Sequence, residues 1–237
     1  MPRRNDLGQP IGAELPAWQP PPLPPRQALG GRFCRVEPPG AARHAADLFA
    51  ANAHDQNGKM WTYLPYGPFP TMAEYQAWLA ERAASADQHM YAIVVDGRAC
   101  GVAAYLRMTP AAGSIEVGHL AFSPLLQRTP AATEAMYLMM HQIFGLGYRR
   151  YEWKCDTLNL PSRAAARRLG FSYEGVFRQA VVYKGRNRDT AWYAILDHEW
   201  PALERSYRRW LDPANFDDAG NQQVRLAELI RHERTRE

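Results

Sequence analysis

The chain has little with which to staple itself covalently or through a metal. Cysteine occurs three times, at Cys34, Cys100 and Cys155, each within an apolar strand-like stretch and none in a C-x-x-C spacing. Such thiols read as buried and reduced, in a cytoplasmic protein, and no metal site is expected from them. No window approaches 18 apolar residues, so no membrane span is expected. The opening MPRRNDLGQP has no apolar core and does not read as a secretory signal. Also missing is any Lys/Arg run of five: the 28 basic residues are interspersed with 24 acidic ones, leaving a net charge of +4. Dispersed charge of this kind argues against a nucleic-acid binder, which would need a basic stripe and a steep salt dependence. A few basic residues gathered at one phosphate site would account for the excess.

What is present is an ordinary globular balance, 46% hydrophobic and 22% charged residues in 237. Proline crowds residues 1–30, with Pro20, Pro21, Pro22, Pro24 and Pro25, and that arm should be polyproline-like, extended or loose. GRFCRV (31–36) alternates like a strand, and residues 41–54 read as an Ala-rich helix. KMWTYLPYGPFP (59–70) is an aromatic loop, either one wall of a substrate pocket or a loop glued to the core by its rings. Thr71 and Glu74 open an amphipathic helix over 71–84. MYAIVV, Asp96-Gly97 and RACGVAAYLRM form a hairpin, and a strand follows over 115–122. Strict alternation there places Glu116, Gly118, Leu120 and Phe122 on one face, and Gly118 in mid-strand signals a bulge or a close backbone approach. Further on come a strand at 150–155, a helix at 162–169, strands at 171–183 and 189–196 around the turn KGRNRD, and a charge-rich helical region over 201–237. The fold class is α+β, a mixed and mostly antiparallel sheet of about seven strands flanked by helices. The divisions are a proline-rich arm (1–30), a main domain (31–200) and a helical extension (201–237).

The organising stretch is LLQRTPAATEAMYLMMHQIFGL (125–146), which joins the 115–122 strand to a helix through a tight polar turn. Thr129 stands as N-cap and Pro130 as first helical residue. Free N–H groups and the helix dipole point out of such a turn, which is a place for a phosphate.

Two segments resemble the GNAT (GCN5-related) N-acetyltransferase superfamily. LQRTPAATEA (126–135) resembles its pyrophosphate loop, Q/R-x-x-G-x-G/A, with Gln127 first and Ala132 last, but with Pro130 in place of the middle glycine. That substitution removes one N–H donor and stiffens the turn. NLPSRAAARRLGFSYEGVFRQ (159–179) resembles the signature of the ribosomal-protein N-terminal acetyltransferase branch at Asn159, Ser162, Gly170, Phe171, Glu174, Gly175 and Arg178. The resemblance implies acetyl-CoA as cosubstrate and a primary amine as acceptor, either a small molecule or a peptide N-terminus, with no metal and with a homodimer as one assembly. It places the pyrophosphate on Gln127, Arg128, Thr129, Ala131 and Ala132, and the pantetheine against Leu120 and Phe122 with Asn159 opposite. It makes Ser162 the acid toward the leaving thiolate, and Glu116 is the carboxylate expected to take the amine proton.

Plainer roles stand beside these. Asn159 can simply cap the following helix, Ser162 can bind backbone, Glu116 can be a strand carboxylate and His119 a core histidine. Arg163, Arg167 and Arg168 can form a solvated face or reach adenosine phosphates, and Glu174 can pair with Arg178. A non-catalytic CoA-binding module on the same fold is the rival of another class.

Overall fold

The computed structural model describes residues 3–235. The arm carries a hairpin of β1 (Arg3–Arg4) and β2 (Pro10–Ile11). Then come β3 (Leu29–Gly30), β4 (Arg35–Glu37), α1 (Ala41–Asn52), α2 (Met72–Ala84), β5 (Gln88–Val95), β6 (Arg98–Thr109) and β7 (Ser114–Phe122). The second half holds α3 (Pro130–Gly145), β8 (Arg150–Asp156), α4 (Leu160–Arg168), β9 (Ser172–Tyr183), β10 (Arg186–Leu196), α5 (Trp200–Leu211) and α6 (Leu226–Arg234). The main sheet has eight strands in the order β3-β4-β5-β6-β7-β8-β10-β9, and β7 with β8 is its parallel pair. The strand beyond the expected seven is β3, two residues at the end of the proline arm and too short to leave a periodic signal. The arm lies against the body: Arg26 donates to the carbonyls of Ala83, Ser85 and Gln88, and the Tyr91 hydroxyl donates to the Pro25 carbonyl (3.2 Å). At the other end the helical region breaks at Pro213, which has no N–H to continue α5.

The sheet is coated unequally. On one face α3, α5 and α6 bury Met136, Met139, Ile143, Leu203, Tyr207 and Ile230 against Tyr105, Tyr151 and Tyr193. On the other, α1, α2 and the aromatic loop bury Leu48, Trp61, Tyr75, Trp78 and Leu79 against Met90, Val102 and Ala104. Among the described residues, none of β8, β9 or β10 belongs to this second cluster, so that end of the sheet presents an open face.

Two irregularities in β7 shape the centre of the sheet. Its parallel pairing with β8 runs from Ser114↔Arg150 to Val117↔Trp153 and then stops. Beyond that point β7 stays with β6 (Gly101↔Phe122) while β8 stays with β10 (Thr190↔Asp156), so a gap opens between residues 118–122 and 154–156. A bulge lies at the same level. Ala104 pairs with Gly118 and Val102 with Ala121, so two β7 residues oppose Ala103, and His119 has φ +50°. The extra residue inverts the alternation. Glu116 and Gly118 face away from α3, whereas Leu120 and Phe122 pack toward α3 with Ile115 and Val117. The single face expected for Glu116, Gly118, Leu120 and Phe122 is therefore split, because one inserted residue moves every later side chain to the opposite side.

Candidate active site

On the α3 side of the gap lies the turn that opens α3. Thr129 Oγ1 accepts from the Ala132 N–H (3.2 Å) and donates to the Leu126 carbonyl (2.7 Å). The Thr129 N–H also goes to Leu126 (3.3 Å). Arg128 sits at φ +62°, which brings its backbone around the outside of the turn. Among the described residues, the N–H groups of Arg128 and Ala131 have no acceptor, so two of the expected donors are open and those of Thr129 and Ala132 are engaged within the turn. The Gln127 side chain donates to the Phe122 carbonyl (2.8 Å), at the end of the strand edge that β8 leaves bare. On the opposite wall Asn159 caps α4 by accepting from the Ser162 N–H (3.1 Å). Ser162 Oγ accepts from the Trp153 indole (3.0 Å). Burial raises the nearby Cys155 thiol, and the Ser162 hydroxyl partly offsets that rise. The helix-cap role is thus realised for both Thr129 and Asn159, at the two helix mouths that flank the gap. Arg163 is tied to Tyr193 and the Thr157 carbonyl, and Arg168 to Thr133.

On the far side of the sheet the open face carries charge. Glu116 is 3% exposed, and its Oε2 receives Arg107 (2.6 Å) and Lys154 (2.9 Å). Lys154 also meets Glu152 (2.7 Å) and lies 3.7 Å from the centre of the Trp192 ring, whose plane stacks on Phe177 at 4.3 Å. Burial works to raise the Glu152 carboxyl, but hydrogen bonds and charge from Arg150 and Lys154 outweigh it and hold it below its ordinary value. Glu174 joins the row through Arg150, not through Arg178 as its neighbour in sequence suggested. Asp156, at the end of β8, accepts from the Tyr183 hydroxyl (2.9 Å), and burial together with Asp156 pushes that phenol up to about 12.

The aromatic loop reaches over this face and is held to the core by its rings. Tyr66 and Phe69 pack on Tyr75 and Trp78, and Trp61 packs on Tyr66 and Phe69, which glues the loop down. Tyr63 reaches across to the Leu158 carbonyl (3.0 Å), and Lys184 in the β9–β10 turn donates to the carbonyls of Trp61 (2.8 Å) and Gly67 (2.9 Å). These bonds tie the loop across the open face, from the segment after β8 to the β9–β10 turn, and we term the space between loop and sheet the cleft. His119 stands at the bulge with Nδ1 3.2 Å from the Tyr66 hydroxyl. Burial, reinforced by Arg82 and Arg107, pushes its imidazole down to about 4, so it is neutral near pH 7.

Sequence reasoning did not reach Asp156, Tyr183, Lys184, Arg188, Thr190 or Trp192. The same-face alternation of β8 and β10 could have hinted at Asp156, Arg188, Thr190 and Trp192 once the two strands were known to be neighbours, whereas Tyr183 ends β9 and Lys184 lies in the β9–β10 turn.

A family model, the acetyltransferase (GNAT) domain, matches residues 35–172. A GCN5-related N-acetyltransferase from Brucella melitensis has a structure similar to this one with TM-score 0.89 at 46% identity, covering 92% of this chain and 100% of that one. A probable GNAT-family acetyltransferase from Chromobacterium violaceum is similar at 43% identity and TM-score 0.76, covering 82% and 98%. The microcin C7 self-immunity acetyltransferase MccE, solved in complex with acetyl-CoA and AMP, shares the fold at 18% identity and TM-score 0.63, covering 70% and 93%. No curated protein matches the sequence. With its splayed parallel pair and its matches over most of the chain, this protein belongs to the GNAT acetyltransferase family.

Proposed function

We propose that the chain transfers an acetyl group from acetyl-CoA to a primary amine presented in the roofed cleft. The carrying observation is the β7–β8 gap, which connects the α3 turn on one side of the sheet with the charged cleft on the other. A thioester laid in that gap is open to attack from the cleft while its diphosphate rests at the α3 mouth. The open N–H groups of Arg128 and Ala131 and the α3 dipole suit the diphosphate. Thr129 and Ala132 stiffen that turn and share their hydrogen atoms with it. Beyond the bulge, the pantetheine pairs with the bare edge of β7 at Leu120 and Phe122, displacing the Gln127 amide from the Phe122 carbonyl, and Asn159 flanks it.

The amine must arrive neutral. Glu116 Oε2 is taken by two cations, but Oε1 has no partner among the described residues and lies beside the backbone of Gly118, immediately before the bulge. It takes the amine proton through a water. Ser162 holds its oxygen against the Trp153 indole and turns its hydroxyl proton toward the departing thiolate. The signature residues Asn159 to Arg178 favour a peptide N-terminus or an amino-acid-like amine as acceptor.

Thiol release from acetyl-CoA over a panel of amines tests the reading, with calorimetry for coenzyme A alongside. Binding of coenzyme A with no turnover on any amine would favour the non-catalytic module. No binding would remove the basis of the assignment.

A further inference from the structure

Three polar groups on one face of β10 face the cleft and lack hydrogen-bond partners among the described residues. Ala191, Tyr193 and Ile195 of β10 enter the α3-side core, so Arg188, Thr190 and Trp192 point the other way, onto the open face. Thr190 is 4% exposed, and its Oγ1 is buried without a hydrogen-bond partner among the described residues. The same holds for Arg188 Nε and Trp192 Nε1. Arg188 makes no ion pair among the described residues; its guanidinium lies 6.0 Å from the centre of the Tyr183 ring. Most buried donors in folded proteins are paired, and leaving one unpaired is unfavourable. Three at alternate positions of one strand is a pattern that calls for an acceptor group from outside the chain.

Their position says which molecule brings it. Thr190 pairs with Asp156, three residues beyond the last β7–β8 pair, and therefore stands level with the bulge across the gap. Neighbouring strands lie about 4.8 Å apart, so this row is one strand removed from the place where the amine must reach the thioester. The nearby acids do not neutralise Arg188. Asp156 accepts from Tyr183 and from the Leu158 N–H, Asp189 from Gln179 and Asn187, and Glu116 and Glu152 from Arg107, Arg150 and Lys154.

We propose that the Arg188–Thr190–Trp192 row is an oxyanion subsite, and that the acceptor is an amine bearing a carboxylate or a phosphate close to the nitrogen. This deepens the function proposed above and rests on it. The guanidinium supplies charge and a fork of donors, and the hydroxyl and indole supply single donors that orient the anion. An amine without the anion leaves the three groups unpaired and is discriminated against.

The test uses the whole protein in two arms. In the first, the Arg Nε–Hε resonances are followed by NMR, with Arg188 assigned by its loss in Arg188→Gln. The probes are a mixture of free amino acids, the same amino acids as amides, inorganic phosphate, and coenzyme A alone. Movement of the Arg188 signal by the free amino acids but not by their amides supports a carboxylate. Movement by phosphate alone supports a phosphorylated amine. Movement by coenzyme A alone, or by no probe, overturns the proposal.

In the second arm, thiol release is compared for anionic amines and their amide or decarboxylated counterparts. The expected preference is about tenfold or more in kcat/KM, erased in Arg188→Gln while affinity for coenzyme A is unchanged. Equal rates with both sets overturn the subsite and leave the acetyltransferase reading standing. Absence of turnover with every amine, while the Arg188 signal still answers anions, supports the subsite and counts against that reading. Thr190→Val controls for folding. It should melt no lower than the wild type and lose anion binding, and a lower melting point with unchanged anion binding overturns the role given to the hydroxyl.

Discussion

Glu134 offers a quantitative test of how the mouth of α3 is held. The residue lies in the second turn of α3 and is 3% exposed. Its Oε1 accepts from the Arg32 N–H (2.8 Å), and its Oε2 accepts from those of Phe33 (2.6 Å) and Cys34 (2.9 Å). One carboxylate thus satisfies three consecutive backbone donors and pins the bend before β4 to the helix whose mouth is the proposed diphosphate site. Replacing Glu134 with Ala strips all three. The Arg32 N–H sits at an exposed residue and can turn to water, whereas those of Phe33 and Cys34 cannot. At about 1–3 kcal/mol per stranded donor, and with a small cavity added, the loss should be about 3–5 kcal/mol.

Glu134→Gln should be milder. Its carbonyl can keep the Oε2 position, leaving an NH2 facing only the Arg32 N–H at the rim, for about 1–2 kcal/mol. For a chain of this size 1 kcal/mol moves the melting point by about 2–4 °C, so the Ala variant should melt about 6–20 °C lower and the Gln variant about 2–8 °C lower. Urea unfolding with an unchanged m-value is the companion measurement. Gly31→Ala should resemble Glu134→Ala, because its Cβ would come within 2.3 Å of the carboxyl carbon. An Ala variant within 1 kcal/mol of wild type, or a Gln variant as damaged as Ala, would refute the reasoning.

Other outcomes are expected at the cleft and the turn. His119 is held neutral by burial, with a folded value of about 4 against about 6.5 unfolded; the unfolded chain then binds the extra proton, so this contribution is intact above pH 6.5 and is lost as pH falls toward 4. His119→Asn, which tolerates the positive φ, should flatten that acid limb by up to about 3 kcal/mol in pH-dependent unfolding; superimposable pH profiles would count against it. Lys184→Met releases the β9–β10 turn from the roof and should raise KM for the acceptor about three- to tenfold without weakening coenzyme A binding, read from steady-state kinetics and calorimetry. Thr129→Ala removes the cap on Ala132 and should cost about 1 kcal/mol in thermal unfolding and weaken coenzyme A binding, and unchanged values in both would show that the turn does not depend on its cap.

Local chemistry made much of this legible in advance. Thr71, Thr129 and Asn159 announce helix starts because a short side-chain oxygen satisfies an N–H that no earlier turn can reach, and all three do so. The α3 stripe and the Asp96-Gly97 hairpin follow from period and turn chemistry alone. Gly118 marked the place of the bulge, but not its consequence. Pro130 likewise opens α3 directly after the Thr129 cap, as its place in the sequence suggested.

By itself, then, the sequence determined where helices and strands begin, which residues are apolar enough to be core, and that a capped turn with Pro130 at the helix start stands between β7 and α3. The tertiary structure alone decided that β8 leaves β7 at Val117, that one extra residue turns Leu120 and Phe122 away from Glu116, that Thr190 stands opposite Asp156, and that Lys184 ties residues 61 and 67 of the aromatic loop to the β9–β10 turn. The physical reason is range. Caps and periods act within a few residues along the chain, whereas strand order, register and the meeting of distant side chains are set by pairing and packing across the whole core, which no short window of residues encodes.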